Sequence, residues 1–308
     1  MGNKTYIKLT RFRVACQLDT SPHQISIDYS LPFQIGFLCY AGSLPERKHL
    51  MKIGMMNNPR VDLLEEIHWA NRHCFDFLDL TLEPAAAHPD QINLGETRRA
   101  LKDSNLGIIG HTAYYLPLAS PYESLRKTAL EEMRRALNVF AELGATKMTV
   151  HPDKSIVFAV GTKGVWQRNL KSLKEMEELA RPRSIQILVE NMDRIFNTVE
   201  QIREALSLMP GVGFHLDVGH ANLNVDRNRT EEFLQAFRDR LVHVHLSDNF
   251  GKSEDLHLPL GAGNIDWKKV ISALKGSGYD GTITLEIFSA DRRYLLFSRD
   301  KLREIWGS

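Results

Sequence analysis

Cysteine is scarce in this chain. Cys16, Cys39 and Cys74 are the whole complement of its 308 residues. That odd number, with no short spacing, argues against a disulfide-stapled framework and a thiolate metal site, and fits a reducing compartment. Long apolar runs are missing too. The longest, Leu31 to Gly42, is too short to span a bilayer. No basic, apolar, small-residue order opens the chain as a secretory signal does, and Tyr6 stands where a myristoylation signal needs Ser or Thr. Neither sign of charge is in excess. Lys plus Arg number 39 against 38 for Asp plus Glu, so the overall balance points to no polyanionic partner. With 43% hydrophobic and 25% charged residues, the composition is that of a globular protein and neither disordered nor collagenous. The expectation is a cytoplasmic protein without a membrane partner.

The first 50 residues differ from the rest. They hold six basic residues (Lys4, Lys8, Arg11, Arg13, Arg47, Lys48) and three acidic ones (Asp19, Asp28, Glu46), and no sustained helical or strand period. Residues 1–50 are expected to be a loosely ordered extension, upstream of the true start codon; the alternative is an arm packed on the domain. The intact mass of protein made from the native gene separates the two. From Met51 onward, strand-like and helix-like stretches alternate eight times. The expected strands are 51–56, 75–82, 106–113, 146–151, 185–190, 212–217, 241–246 and 281–286, short runs such as Ile185-Gln-Ile-Leu-Val189 that are rich in apolar and β-branched residues. The clearest helix runs from Glu123 to Leu143, where Leu125, Ala129, Met133, Leu137, Phe140 and Ala141 recur near the 3.6 period and Gly144 offers a C-cap. Asp266 offers an N-cap to the seventh helix. Eight such units in residues 51–308 predict an α/β fold, a single (β/α)8 TIM barrel with an N-terminal extension. A doubly wound open sheet is the alternative and usually needs fewer units.

Histidines and carboxylates crowd the C-terminal ends of these strands, the face where barrel active sites form. They are His111 on the third strand, His151 on the fourth, Glu190 on the fifth, Asp217 and His220 on the sixth, His245 on the seventh and Glu286 on the eighth. Asp255 and His257 follow in the loop after the seventh. A ring drawn from six successive strands is expected to bind metal, and imidazole nitrogens with carboxylate oxygens suit zinc or manganese. Strand alternation puts His243 with His245, and His215 with Asp217, on common faces. The earlier member of each pair lies deeper, as an orienting or barrel-filling residue. His68 and His73, on the first helix, are expected to be surface or packing residues.

Several segments in order carry a family likeness: His111-Thr-Ala-Tyr114-Tyr-Leu-Pro-Leu118-Ala-Ser120, Thr149-Val-His151-Pro, Leu188-Val-Glu190-Asn191, Leu216-Asp217-Val-Gly-His220-Ala and Val244-His245-Leu-Ser-Asp248-Asn. Asp255-Leu-His257-Leu-Pro-Leu-Gly261-Ala-Gly263-Asn-Ile-Asp266-Trp and Thr284-Leu-Glu286 complete the set. From Met51 to its end the chain resembles the xylose isomerase-like barrel superfamily, which holds sugar and sugar-phosphate isomerases and epimerases and also endonuclease IV-type abasic-site nucleases.

The resemblance implies two functions. As an isomerase or epimerase, the chain would hold one divalent ion through Glu190, Asp217, His245 and Glu286. Glu190 and Glu286 would move a proton through an enediolate, and His220 would contact a substrate oxygen. Its partner would be a small sugar or sugar phosphate bound beside Glu83, Tyr114 and Asn191. The Gly261-Ala-Gly263 turn would offer backbone N–H groups to a phosphate. As an endonuclease IV-like phosphodiesterase it would hold three zinc ions, with His111, His151, His220, Asp255 and His257 as further ligands and nucleic acid as partner. Enzymes of this superfamily often pair their barrels, which extends the expectation to a homodimer.

Loops and charge favour the small substrate. Pro117 stands where the nuclease family prefers Asn, and Pro-Asp-Lys-Ser after His151 lacks its usual glycine. The loop from His245 to Asp255 carries no arginine, and Glu83-Pro-Ala-Ala-Ala has no basic or aromatic wedge. Without the first 50 residues the chain holds 33 basic and 35 acidic residues, a net −2, whereas duplex binding relies on several Lys or Arg contacts to phosphates. A third class, a metal-binding barrel without catalysis, is disfavoured by the acids retained at both Glu190 and Glu286.

Overall fold

The computed structural model describes residues 51–154 and 157–308. The expectation made for residues 1–50 lies outside the described residues. Eight strands appear in the expected order: β1 (Lys52–Met56), β2 (Phe77–Thr81), β3 (Gly107–His111), β4 (Lys147–Val150), β5 (Gln186–Glu190), β6 (Gly213–Asp217), β7 (Leu241–Leu246) and β8 (Thr282–Leu285). Each pairs in parallel with the next, and β8 pairs with β1, so the sheet closes into a barrel and the open-sheet alternative falls away. The strand β7 has the expected bounds, and the other seven are one to three residues shorter, trimmed at one or both ends.

Each strand leads into a helix: α1 (Leu63–Arg72), α2 (Leu94–Asp103), α3 (Glu123–Leu143), α4 (Val157–Ala180), α5 (Val199–Leu208), α6 (Thr230–Phe237), α7 (Trp267–Gly276) and α8 (Arg293–Gly307). Local chemistry sets several of their ends. Asp62 accepts the Leu64 and Glu65 N–H groups at the start of α1, and Asp266 accepts that of Lys269 at the start of α7. Gly144 ends α3 at φ +86°, a left-handed position where a Cβ is disfavoured. Backbone at φ +69° breaks α4 at Gly161.

The strands β2 and β6 are buried along their whole length, as both faces of a barrel sheet require. The core lies between strands and helices, with Met133, Leu137 and Phe140 of α3 fully buried against it. Two buried charges tie the outer ring together. The Arg126 guanidinium joins Glu123 and Ser172 to Glu175 at 2.7–3.0 Å, fastening α3 to α4. Glu66 of α1 receives Arg292 at 2.6 Å, just before α8, and Arg292 also lies over the Trp69 ring. His68 is exposed on α1, and His73 stacks on Trp69.

Gly110 of β3 lets α3 approach closely: a Cβ there would stand 2.7 Å from Phe140 Cδ2. Gly110→Ala is therefore expected to destabilise the barrel by about 1–3 kcal/mol through overpacking. Calorimetric melting tests this, and an unchanged melting temperature would show that Phe140 has room to yield.

Candidate active site

Period-2 alternation and parallel register place the acids and imidazoles in tiers inside the barrel. Asp217 of β6 lies beside His245 of β7, which lies beside Thr284 of β8; one step deeper, His215 lies beside His243, and His243 beside Thr282. Glu190 ends β5 next to His215. Asp79, the acid inside the apolar run Phe77-Leu-Asp-Leu-Thr81 of β2, is also completely buried.

The rim residues converge. His111 Nε2 lies 3.1 Å from His151 Nε2, and His151 Nε2 lies 3.0 Å from Glu190 Oε2. His220 Nδ1 stands 3.1 Å from Glu190 Oε1, while its Nε2–H donates to Asp255 Oδ2 at 2.9 Å. His257 bridges Asp255 at 3.2 Å and Glu286 at 3.5 Å. His245 Nδ1 is 3.1 Å from Glu286 Oε2 and 3.9 Å from Asp217 Oδ2. The structure thus brings together all nine of the residues expected as ligands.

Many of these contacts are close without being aligned. Both Glu190 oxygens, Asp217 Oδ2, His111 Nδ1 and His257 Nδ1 are buried without a well-directed hydrogen bond. Glu190, Asp217 and His245 each offer a donor atom within 4.8 Å of the others, and so do His111, His151 and Glu190. Buried nitrogen and oxygen donors that converge without bonding one another fit a divalent cation, and the absence of thiolates keeps the choice among borderline and hard ions.

Electrostatics order the site by depth. Burial opposes ionisation of Glu190, but the charges of His151 and His215 and the close approach of His151 and His220 hold its carboxyl well below the usual range. Burial likewise opposes ionisation of Glu286, and His257 and His245 bring it down to about 2. Asp217 is different: burial, with Glu190 and Glu286 nearby, pushes it up to about 7 against the pull of His220 and His245. Burial disfavours charge on His245 and His220 too, yet the carboxylates around them raise both well above the ordinary imidazole value. Deeper down burial prevails, pushing His243 to about 4 and His215 well below its ordinary value, in the latter case with help from His245.

The expected substrate contacts fare unevenly. Glu83 is half-buried near His111 and His151; burial raises its carboxyl, which those charges and a hydrogen bond from Tyr115 partly offset. Tyr114 is 65% exposed, its ring edge-on to Tyr115, so the neighbouring tyrosine is the one that meets Glu83. Asn191 does not face the centre. Its Nδ2 donates to the Asp217 carbonyl at 2.9 Å and its Oδ1 accepts the Asp217 N–H at 2.8 Å, so both ends of the amide hold the β6 backbone. His220 has both ring nitrogens engaged, with Nδ1 also 3.0 Å from the Asn191 carbonyl.

The glycine turn departs from the phosphate expectation at Gly261, whose N–H is bonded to Asp248. Asp248 already occupies it: its carboxylate accepts the N–H groups of Asn249, Gly261 and Ile265 and the Trp267 indole N–H, at 2.7–3.2 Å. Gly263 is required by close packing, since a Cβ would stand 2.2 Å from the Asn249 carbonyl oxygen. Sequence reasoning also missed Asp79, whose signal was a lone acid in a strand otherwise buried and apolar.

Comparison with known proteins identifies the family of the barrel. The profile of a family described as xylose isomerase-like TIM barrel matches residues 67–305. An uncharacterized protein of Methanocaldococcus jannaschii is 33% identical over 175 residues, covering 54% of this chain, and the match spans only 59% of that relative's length. The L-ribulose-5-phosphate 3-epimerase UlaE of Escherichia coli is 24% identical over 241 residues, 73% of this chain and 82% of the relative. Among solved structures, that of a D-tagatose 3-epimerase-like protein superposes with a TM-score of 0.73 at 26% identity, covering 83% of this chain and 97% of the other. No helix among the described residues is long and apolar enough to cross a membrane.

The shifts fix a pH dependence for protein freed of metal by chelation. His257 is raised to about 9, with burial opposing and Glu286 and Asp255 supporting its charge. Its stabilising contribution is therefore complete below its ordinary value near 6.5 and lost as pH rises through 9; His220 and His245 act with the same sign. Chelated protein is expected to melt several degrees lower at pH 9 than at pH 6.5. A flat or rising melting temperature over that window would contradict the assignment.

Proposed function

Because the chain belongs to the xylose isomerase-like TIM barrel family, we propose that it is a divalent-metal-dependent isomerase or epimerase of a small sugar or sugar phosphate. The observation that carries this reading is the pair of buried carboxylates, Glu190 and Glu286, on either side of Asp217 and His245. The epimerase names of UlaE and of the D-tagatose 3-epimerase-like protein point the same way. Inverting a carbon beside a carbonyl requires removing its proton on one face and returning one on the other, through an enediolate. Glu190 and Glu286 are both held charged at neutral pH, the state from which a base starts. Glu286 is 6% exposed and Glu190 fully buried, so Glu286 exchanges its proton with solvent more readily. A divalent ion held by Glu190, Asp217, His245 and Glu286, zinc or manganese, would polarise the carbonyl and stabilise negative charge on its oxygen. His220, gripped by Asp255 and the Asn191 carbonyl, keeps Glu190 oriented. The occupied Gly261 turn leaves a phosphate no cradle there, so a free ketose is the first substrate to try.

One observation keeps a second reading in play. His111 and His151 meet at Glu190, and Asp255 and His257 meet beside Glu286, which is a donor set large enough for three ions. That arrangement would suit a zinc phosphodiesterase acting at abasic sites in DNA.

Two experiments decide. Ketoses and their phosphates incubated with the enzyme in D2O are expected to take up deuterium beside the carbonyl. Glu190→Gln and Glu286→Gln should each slow this by about 10²–10⁴-fold while the protein stays folded. Full activity in either variant would end the two-carboxylate mechanism. Separately, elemental analysis of protein purified without chelator or metal-affinity tag is expected to find about one divalent ion per chain. About three zinc ions per chain, with incision of an oligonucleotide bearing one abasic site, would replace the epimerase by the phosphodiesterase.

A further inference from the structure

We propose that Asp79 is a positioning residue whose two oxygens fix which ring nitrogen of His245 and of His111 carries the proton, so that each histidine presents its other nitrogen to the metal-binding centre. For His245 the proposal rests on the four-ligand site of the reading above, for His111 on the larger donor set with His151 and Glu190, and in neither case on the identity of the substrate. Asp79 sits too deep to reach a substrate and is completely buried. Its Oδ2 accepts from His245 Nε2 at 2.6 Å, from His243 Nε2 at 2.9 Å and from the Thr284 hydroxyl at 2.9 Å. Its Oδ1 lies 3.3 Å from His111 Nδ1.

The opposite nitrogens look the other way. His245 Nδ1 faces Glu286 and Asp217 at 3.1 and 3.9 Å, while His111 Nε2 faces His151 at 3.1 Å. The two histidines thus use different nitrogens toward the centre, which no spacing rule demands. The common cause is one carboxylate between them. A carboxylate is an acceptor only, so His245 Nε2 carries the proton of its bond to Oδ2, the negative charge 3.3 Å from His111 Nδ1 favours a proton there too, and the far nitrogen of each is left bare to ligate. Such an outer carboxylate aligns a ligating imidazole and raises its basicity, and removing it weakens metal binding.

Asp79→Asn keeps the shape and removes one acceptor. An amide accepts at one end and donates at the other, so it cannot accept from His245 Nε2–H and also place an acceptor beside His111 Nδ1. The test uses the full chain with Zn2+ as probe, reading ring-nitrogen chemical shifts by 15N NMR and the zinc Kd by calorimetry. In the wild type, His245 is expected to bind zinc through Nδ1 with Nε2 protonated. In Asp79→Asn, zinc Kd is expected to weaken by about 10–100-fold, with at least one of the two histidines changing its protonated nitrogen. Thr284→Val removes a neutral partner of the same oxygen and is expected to keep both the nitrogen pattern and the zinc Kd to within a few-fold.

Equal zinc binding and an unchanged nitrogen pattern in Asp79→Asn would overturn the proposal and leave the metal site standing. Equal weakening in Thr284→Val would overturn it as mere packing. A wild type that binds no zinc would overturn the metal reading and this proposal together. If Asp79→Asn fails to fold, the wild-type spectrum decides alone, since zinc on His245 Nε2 contradicts the role assigned to Asp79.

Discussion

Asp79, Glu190, Asp217 and Glu286 lie buried within one end of a closed barrel, and their charge must be balanced there. An uncompensated ion in such a place costs several kcal/mol. Much of the interior chemistry follows from this constraint. Imidazoles stand beside each of these acids, and those of His151, His220, His245 and His257 are held protonated above their ordinary value by the carboxylates around them. The same imidazoles and carboxylates form a donor set for a divalent cation, so proton and metal compete for one set of atoms. Below the rim the balance reverses. His243 and His215 are kept from charging by burial, with the charge of His245 adding to it and that of Asp79 opposing it.

The barrel supplies this arrangement cheaply. Parallel register sets Asp217, His245 and Thr284 side by side on successive strands, and alternation leaves a second tier directly beneath. None of these residues needs a long loop to reach its place. Asp255 and His257 come from the loop after β7, well beyond its end, and they are the more exposed of the charged ligand candidates. The fold can therefore keep its inner acids and imidazoles while the rim changes, which is how one architecture comes to serve different substrates.

Much of this was legible in the sequence. The eight strands announced themselves as short apolar runs between helical stretches, and α3 as a long amphipathic period ended by Gly144. Seven of the ligand candidates were legible because each lies at or just beyond a strand end, a position that needs no knowledge of neighbours, and Asp255 and His257 because they follow in the next loop. What escaped was tertiary. Asp79 sits within β2, three positions before its expected end, and its meaning depends on His243, which is 164 residues away in sequence. Tyr114 and Tyr115 cannot be told apart until the loop after β3 has a shape. Asn191 looked like a rim residue, but its amide is closed on the β6 backbone. The Gly261 turn read as an open anion site because its occupant, Asp248, belongs to a different segment.

Asp248 carries one further consequence. Its backbone pairs with Leu258 in both directions at 2.9 Å, while its side chain gathers the turn that follows. Residues 249–257 are thus a closed ear, sealed at its base, whose tip at Lys252, Ser253 and Glu254 is exposed. A segment anchored in this way tolerates replacement of its tip, because the clasp holds the entry and exit points fixed. The same clasp makes the tip a natural graft point, where length and sequence can be exchanged to reshape the mouth of the barrel without disturbing the acids beneath it.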